Sequence, residues 1–414
     1  MAVPTVAPTP DSVGGSRTVP RPALARCLAI DVDDFARDYW GERPLLSPTP
    51  GFADLFSADA VDELLTEHGL RTPFLRMARD GAVLPASRFT TGGGVGARIS
   101  DQADATAIHR ELAAGTTLVL QGLHRTWGPL RAFARQLVAD LGHPVQINAY
   151  ITPPQSQGFA AHYDTHDVLV LQIAGTKTWR LHEPVVEHPD RPWETVADLV
   201  AARATEPAFL DHDLVPGECL YLPRGWLHSA TAQDDLTIHL TVGIPAITTV
   251  DVLRRAVDRV RENPDLRANL PLGATATPEL LAEVIAPLLK EAAHDLAELD
   301  PADVAPAVLA ELARGAPPEP VAPLRQLRTV EALTATTPFR VPQGARARVT
   351  RHGDRLRLEA NGRFVEAPAS CADALARIAT GAVTTPADLP GLDVEAAVTL
   401  VRRLLADAIV VPVD

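Results

Sequence analysis

Cysteine is scarce: Cys27, Cys219 and Cys371 are the only 3 among 414 residues, and no two fall at CxxC spacing. That excludes a disulfide framework and a thiolate zinc site, and it suits a reducing cytoplasm. Long apolar runs are missing too. Residues 1–22 are rich in Pro, Thr, Val and Ser without a continuous apolar core, so neither a signal peptide nor a membrane span is expected. This segment reads as a disordered tail. Positive charge is also in deficit, with 38 Lys and Arg against 52 Asp and Glu and a net charge of -14. Direct nucleic-acid binding needs clustered cations and is not expected. An acidic surface suits a basic protein substrate.

What remains is ordinary globular composition, 46% hydrophobic and 22% charged, in a chain long enough for two or three domains. The informative feature is His162-Tyr163-Asp164, followed by His228 within Gly217-Glu-Cys-Leu-Tyr-Leu-Pro223-Arg-Gly225-Trp-Leu-His228. Residues two apart on a strand share a face, so His162 and Asp164 can reach one ion. Gly217 turns the chain, Cys219 to Leu222 reads as a strand, and Pro223-Arg-Gly225 turns it again. His228 then opens the next strand, in which Ile238, Leu240 and Val242 alternate with Thr237, His239 and Thr241. Two histidines and a carboxylate form a facial triad typical of non-haem Fe(II), with open positions for co-substrate and O2.

His-x-Asp also arises by accident. His188-Pro189-Asp190 lies in a proline-broken loop and His352-Gly353-Asp354 at a hairpin tip, and both read as solvated turns. His109 and Glu111 fall in a helical pattern, where residues two apart diverge. His166 shares the face of His162 and Asp164 by parity, and reads as a residue beside the metal or on the substrate side.

The chain resembles the cupin-type JmjC oxygenases, and among them the ribosomal-oxygenase-like group. The resemblance rests on His162-x-Asp164, the Gly217 to His228 element and Phe35-Ala-Arg-Asp-Tyr39-Trp40-Gly-Glu-Arg-Pro44-Leu-Leu. It implies Fe(II), with 2-oxoglutarate and O2 as co-substrates, and hydroxylation of an Arg or His side chain of a ribosomal protein. It further implies a basic residue on the strand after the motif for the far carboxylate of 2-oxoglutarate. Lys177 stands there, after the Ala174-Gly175-Thr176 turn and on the return arm of a hairpin, sharing a face with Trp179 and Leu181. An inward cation needs an anionic partner. Asn148 and Tyr150, on the polar face of Val145 to Thr152, match the family's spacing for co-substrate hydrogen bonds. Tailoring of a natural-product peptide and a non-catalytic cupin binding module are the alternatives.

The resemblance also implies a mixed α+β fold: a double-stranded β-helix (cupin/JmjC jelly-roll) core, a helical dimerisation region and a C-terminal winged-helix domain. The expected boundaries are 1–22 for the tail, 23–246 for the oxygenase domain, 247–314 for the helices, 315–325 for a linker and 326–414 for the winged-helix-like unit. Within the barrel, Pro184 to Pro207 reads as an insertion carrying a surface helix, and Thr91-Gly-Gly-Gly94-Val-Gly96 as a flexible loop. Apolar stripes over Val250 to Arg261, Pro278 to Leu299 and Ala302 to Arg314 suit a homodimer. Arg402 and Arg403 sit among Asp388, Asp393, Glu395 and Asp407, which favours a packing or protein-binding role over DNA binding.

Overall fold

The computed structural model describes residues 20–413 except 80, 97, 158, 317 and 361. The expected tail therefore lies almost wholly outside the described residues. Two antiparallel sheets face each other. The larger runs Leu45–Pro48, Glu218–Leu222, Asp167–Ala174, Thr237–Ile244, Gln146–Thr152, Thr117–Leu120, Leu75–Arg79 and Ala82–Val83 in spatial order. The smaller runs Leu210–Leu214, Lys177–His182 and Leu227–Ala232. Neighbours in space are distant in sequence, which is the jelly-roll form of closure.

Side-chain parity divides these strands between two cores. Leu169 and Leu171 point outward, with Ile147, Ile151, Leu240, Val242 and Tyr221, into the large core under the helices. Val168 and Val170 point inward and pack with Trp179, Leu181, Leu214, Leu220 and Leu222. Asp167–Ala174 is therefore apolar on both faces. Gln146–Thr152 and Thr237–Ile244 are apolar only outward, leaving Tyr150, His239 and Thr241 to line the space between the sheets. The helix Gly128–Leu141 backs the large sheet and ends at Gly142, whose φ of 70° is the left-handed conformation glycine tolerates best.

Four expectations change. His228 does not share a strand with residues 237–244: its strand, Leu227–Ala232, belongs to the small sheet, and Thr237–Ile244 to the large one. The alternation beyond Leu236 is thus that of a separate strand. Ala174-Gly175-Thr176 closes no hairpin either, because Asp167–Ala174 and Lys177–His182 lie in different sheets. The turn is a corner between sheets. Gly175 has φ +64° there, and a Cβ on it would stand 2.5 Å from the Leu236 carbonyl oxygen, so only glycine fits. The insertion is more than a surface helix. Val200 is buried with Tyr163 and Leu227, which fixes Ala197–Arg203 against the barrel. Finally, the end of the expected linker is helical, since Pro323–Glu331 is a helix.

The cysteines, far apart in sequence, include one pair that meets: the Cys27 and Cys219 thiols are in contact in the core, both free. Beyond the barrel come helices Thr249–Val260, Pro278–Ala297 and Pro301–Gly315. A separate C-terminal core gathers Leu358, Leu375, Val401, Leu404 and Ile409. The expected Ala345 to Phe364 hairpin is part of a three-stranded meander, Arg348–His352, Arg355–Ala360 and Arg363–Pro368. The chain end closes this unit, with Val411–Pro412 paired to Phe339–Arg340. No helix among the described residues is long and apolar enough to cross a membrane.

Candidate metal centre

His162 and His228 are joined by a reciprocal backbone bridge. The His162 amide donates to the His228 carbonyl at 3.1 Å, and the His228 amide to the His162 carbonyl at 2.8 Å. In an antiparallel pair, opposed side chains project to the same face, and the two imidazole centroids lie 4.5 Å apart. One bridge later the chain leaves the ladder, so Asp164 sits on a loop and not on a strand. A third backbone bond holds that loop, from the Gly225 amide to the Asp164 carbonyl at 3.0 Å. Gly225 must be glycine: its φ is +88°, and a Cβ would stand 2.8 Å from Pro189 Cδ and 3.0 Å from the Val186 carbonyl. The insertion thus packs directly on the turn that delivers His228.

The ligand atoms of His162, Asp164 and His228 all lie within 4.8 Å of one another. Each histidine bonds through Nδ1 to the carbonyl two residues before it, His162 to Ala160 at 2.8 Å and His228 to Trp226 at 3.1 Å. A carbonyl only accepts, so both Nδ1 atoms carry the proton and both Nε2 lone pairs remain for a cation. His228 Nε2 is 3.8 Å from Asp164 Oδ2. Burial lowers the pKa of His228, as does His162, keeping it a neutral ligand. Burial would raise Asp164, but His228, His166, His162 and Arg76 outweigh it and hold the carboxyl below its ordinary value.

These three residues border a cavity of about 450 Å³ whose far wall carries Lys177. Lys177 is 4% exposed, and its ammonium donates to Thr152 Oγ1 at 3.1 Å. Burial pushes its pKa down to about 7. Two more buried polar atoms in this cavity have no hydrogen-bond partner, Trp179 Nε1 and His239 Nδ1. A cation and orphaned polar atoms in one enclosed space fit a small anion with several acceptors. Tyr150 is in the same wall, its ring stacked on His239 at 4.9 Å. Asn148 is elsewhere: its Oδ1 accepts from the Gly122 amide at 3.0 Å, and it lines an adjoining cavity of about 390 Å³. Two strand positions, nearly 7 Å of rise, separate the pair along the wall. The adjoining cavity also contains Asp164 and His166, so His166 lies beside the triad without joining it.

Tyr163 and Trp226 flank the ligands in sequence but face away. Tyr163 is buried against Val200 and Leu227, and Trp226 Nε1 donates to the Glu42 carbonyl at 3.2 Å. His352-Gly353-Asp354 is a hairpin turn, as expected, whereas His188-Pro189-Asp190 is a loop that packs through Pro189 on the Gly225 turn without offering a ligand. Glu111 is buried but paired, with Arg79 at 3.1 Å and Arg88 at 2.5 Å. Sequence reasoning missed Arg76, which borders both cavities with its Nε buried and without a hydrogen-bond partner. Leu75–Arg79 reads LRMAR, and an arginine between apolar residues is a faint signal of an inward cation.

A jelly roll with a two-histidine, one-carboxylate centre is the architecture of the cupin class. Residues 129–252 match the JmjC domain family. The matched segment is a JmjC domain, and the chain is similar in sequence and fold to ribosomal oxygenases. It is 36% identical to human ribosomal oxygenase 1 over 146 residues, covering 34% of this chain and 23% of that one. Over 237 residues it is 31% identical to the bifunctional lysine-specific demethylase and histidyl-hydroxylase NO66 of Drosophila persimilis, covering 53% and 31%. The chain thus spans only 22% to 36% of the length of such relatives. The fold matches the Escherichia coli ribosomal oxygenase YcfD in complex with cobalt and 2-oxoglutarate. That match has a TM-score of 0.51 at 19% identity, over 94% of this chain and 99% of that one.

The donors fit Fe(II): two neutral imidazole nitrogens and a carboxylate, with room in the cavity beside them. Replacing Asp164 by Ala removes the only anionic donor. Co(II) titration followed by visible absorption is expected to show affinity reduced at least about a hundredfold; unchanged affinity would remove the metal assignment.

Proposed function

We propose that this chain is an Fe(II)- and 2-oxoglutarate-dependent protein hydroxylase acting on an Arg or His side chain of a ribosomal protein. His162, Asp164 and His228 would hold the metal, and Lys177 the far carboxylate of 2-oxoglutarate. Tyr150 and Trp179 Nε1 offer further hydrogen bonds in the same cavity. Asn148 lines the adjoining cavity, where its Oδ1 orders the Gly122 turn. Bound there, the iron and 2-oxoglutarate supply the O2 chemistry, and the protein positions the substrate and excludes water. The observation that carries this reading is Lys177. A buried ammonium facing a metal triad, with only a threonine hydroxyl as partner, is a costly arrangement unless an anion joins it.

The names of the relatives point to ribosomal proteins and to histidine as a modified residue, and the acidic chain suits a basic target. Residues 23–246 form the oxygenase domain in this reading, and 247–314 the dimer-forming helices. After the 315–325 linker, 326–414 is a winged-helix-like packing unit in which Arg403 is ion-paired with Asp407. Three free thiols suit a reducing cytoplasm. The Pro278–Ala297 helix has no buried residue and exposes Leu280, Ile285, Leu288 and Leu289. Such a stripe calls for a partner, here a second copy of the chain.

Three outcomes are expected. Comparing intact masses of the host's ribosomal proteins with and without the gene should show one of them lighter by an oxygen atom in its absence; a full set of unchanged masses would refute the ribosomal substrate. Light scattering should give a dimer, and Leu289→Arg with Ile285→Arg a monomer; a monomeric parent would reject the dimer. Binding of 2-oxoglutarate should be linked to the Lys177 proton. The anion stabilises the ammonium and raises its pKa from about 7. Below that pH the group is already charged and affinity is flat. Above it each pH unit should weaken binding by up to about tenfold, until the pKa of the complex is reached. Calorimetry across that range on the cobalt-loaded protein would show it, and a flat profile would exclude Lys177 as the anchor.

A further inference from the structure

Next to the adjoining cavity lies a further space of about 440 Å³, between the helix Gly128–Leu141 and the segment that follows Gly315. Its walls are apolar at Ala134, Val138 and Val145. Its charged and polar side chains are all donors: Arg125, Arg131, Arg135 and His124. No carboxylate lines it among the described residues, in a chain of net charge -14. Arg131 donates one N–H to the Arg125 carbonyl at 2.6 Å, but the donors are not all absorbed locally. Arg135 Nε is buried without a hydrogen-bond partner. Glu319, which acts on Arg135 from outside the cavity, is already paired with Arg340 at 2.7 Å. The Ile147 amide donates to His124 Nδ1 at 3.1 Å, so Nδ1 is the acceptor and Nε2 carries the proton. Burial and then Arg125 keep that ring neutral. His124 and Arg125 also line the cavity that contains Asp164 and His166, so the two spaces adjoin each other at these residues.

We propose that this second space is an anion subsite for the substrate chain, taking a carboxylate on an apolar stem while a nearby residue of the same chain enters the cavity beside Asp164. The carboxylate belongs to a Glu or Asp side chain or to a chain terminus. A substrate lysine or arginine would meet three guanidinium groups with no counter-charge in the lining, so the subsite rejects it. A basic substrate protein is then recognised through a locally acidic or terminal segment. The inference rests on the hydroxylase reading only in naming the occupant as substrate.

The test uses the full chain, cobalt-loaded, with isotope-labelled arginine side chains followed by NMR. The probes are acetyl-Leu-Glu-amide, acetyl-Leu as the free acid, and acetyl-Leu-Gln-amide. Arg131 and Arg135 signals should shift with one or both acids and not with the glutamine peptide; the responding acid identifies the source of the carboxylate. Arg135→Gln should weaken that binding about tenfold, the usual cost of one charged hydrogen bond, with Arg131→Gln as an independent check and Co(II) binding as the control for folding. Equal shifts with the glutamine probe, or undiminished binding in both variants, would overturn the subsite. No turnover is involved, so missing oxygen on ribosomal proteins would end the hydroxylase reading and leave this result standing.

Discussion

The site depends on one pair of backbone hydrogen bonds, the bridge between His162 and His228. Two imidazoles brought within 4.5 Å would drift apart if only side-chain contacts held them. Here the peptide groups fix the Cα positions, and the carbonyls of Ala160 and Trp226 fix the rings. Orientation is therefore settled before any metal arrives, which reduces the ordering that binding must impose. The same logic explains why Gly225 and the insertion matter. The turn before His228 is pressed between the Asp164 loop and Pro189, and it cannot shift without breaking one side or clashing with the other.

The barrel interior is divided by polarity. On the inner face of the large sheet one half, from Val168, Val170, Leu220 and Leu222, is dry, the other half carries Tyr150, His239 and Thr241, and the facing sheet adds Lys177. Low polarity around a cation makes its desolvation expensive and its pairing strong, so the arrangement favours an anion far more than a surface lysine would. His239 shows the same field from the other side. Burial, then Lys177 and His228, drive its pKa well below the ordinary imidazole value, so it adds no competing positive charge to the wall.

Legibility in the sequence followed the range of the interactions. The convergence of His162, Asp164 and His228 was legible from motif spacing, although Asp164 reaches the site from a loop and not by strand parity, and the place given to Lys177 came from the family resemblance. The strand around His228 was read too long because an alternating pattern does not reveal which sheet a strand joins. The Ala174 to Thr176 corner looked like a hairpin for the same reason: glycine marks a turn, and only the carbonyl of Leu236, supplied by a distant strand, makes it an inter-sheet corner. Arg76 was invisible. Its place beside Asp164 results from the pairing of Leu75–Arg79 with Thr117–Leu120, a contact between segments about forty residues apart that no local pattern announces.

Charge is distributed against the average of the chain, and that has a consequence for recognition. Outside, carboxylates outnumber cations; along the path from Asp164 past His166, His124 and Arg125 to Arg135, the only carboxylate in the lining is Asp164 itself, which the metal would neutralise. A long-range field of one sign gathers basic partners, and a short-range lining of the other sign then selects among their segments. The two act at different distances, so they do not cancel: screening erases the first over about 10 Å at 0.1 M salt, while contacts within the half-open lining are shorter than that length. Association rate should therefore respond to salt more than the choice of segment does, which separates capture from selection in one protein.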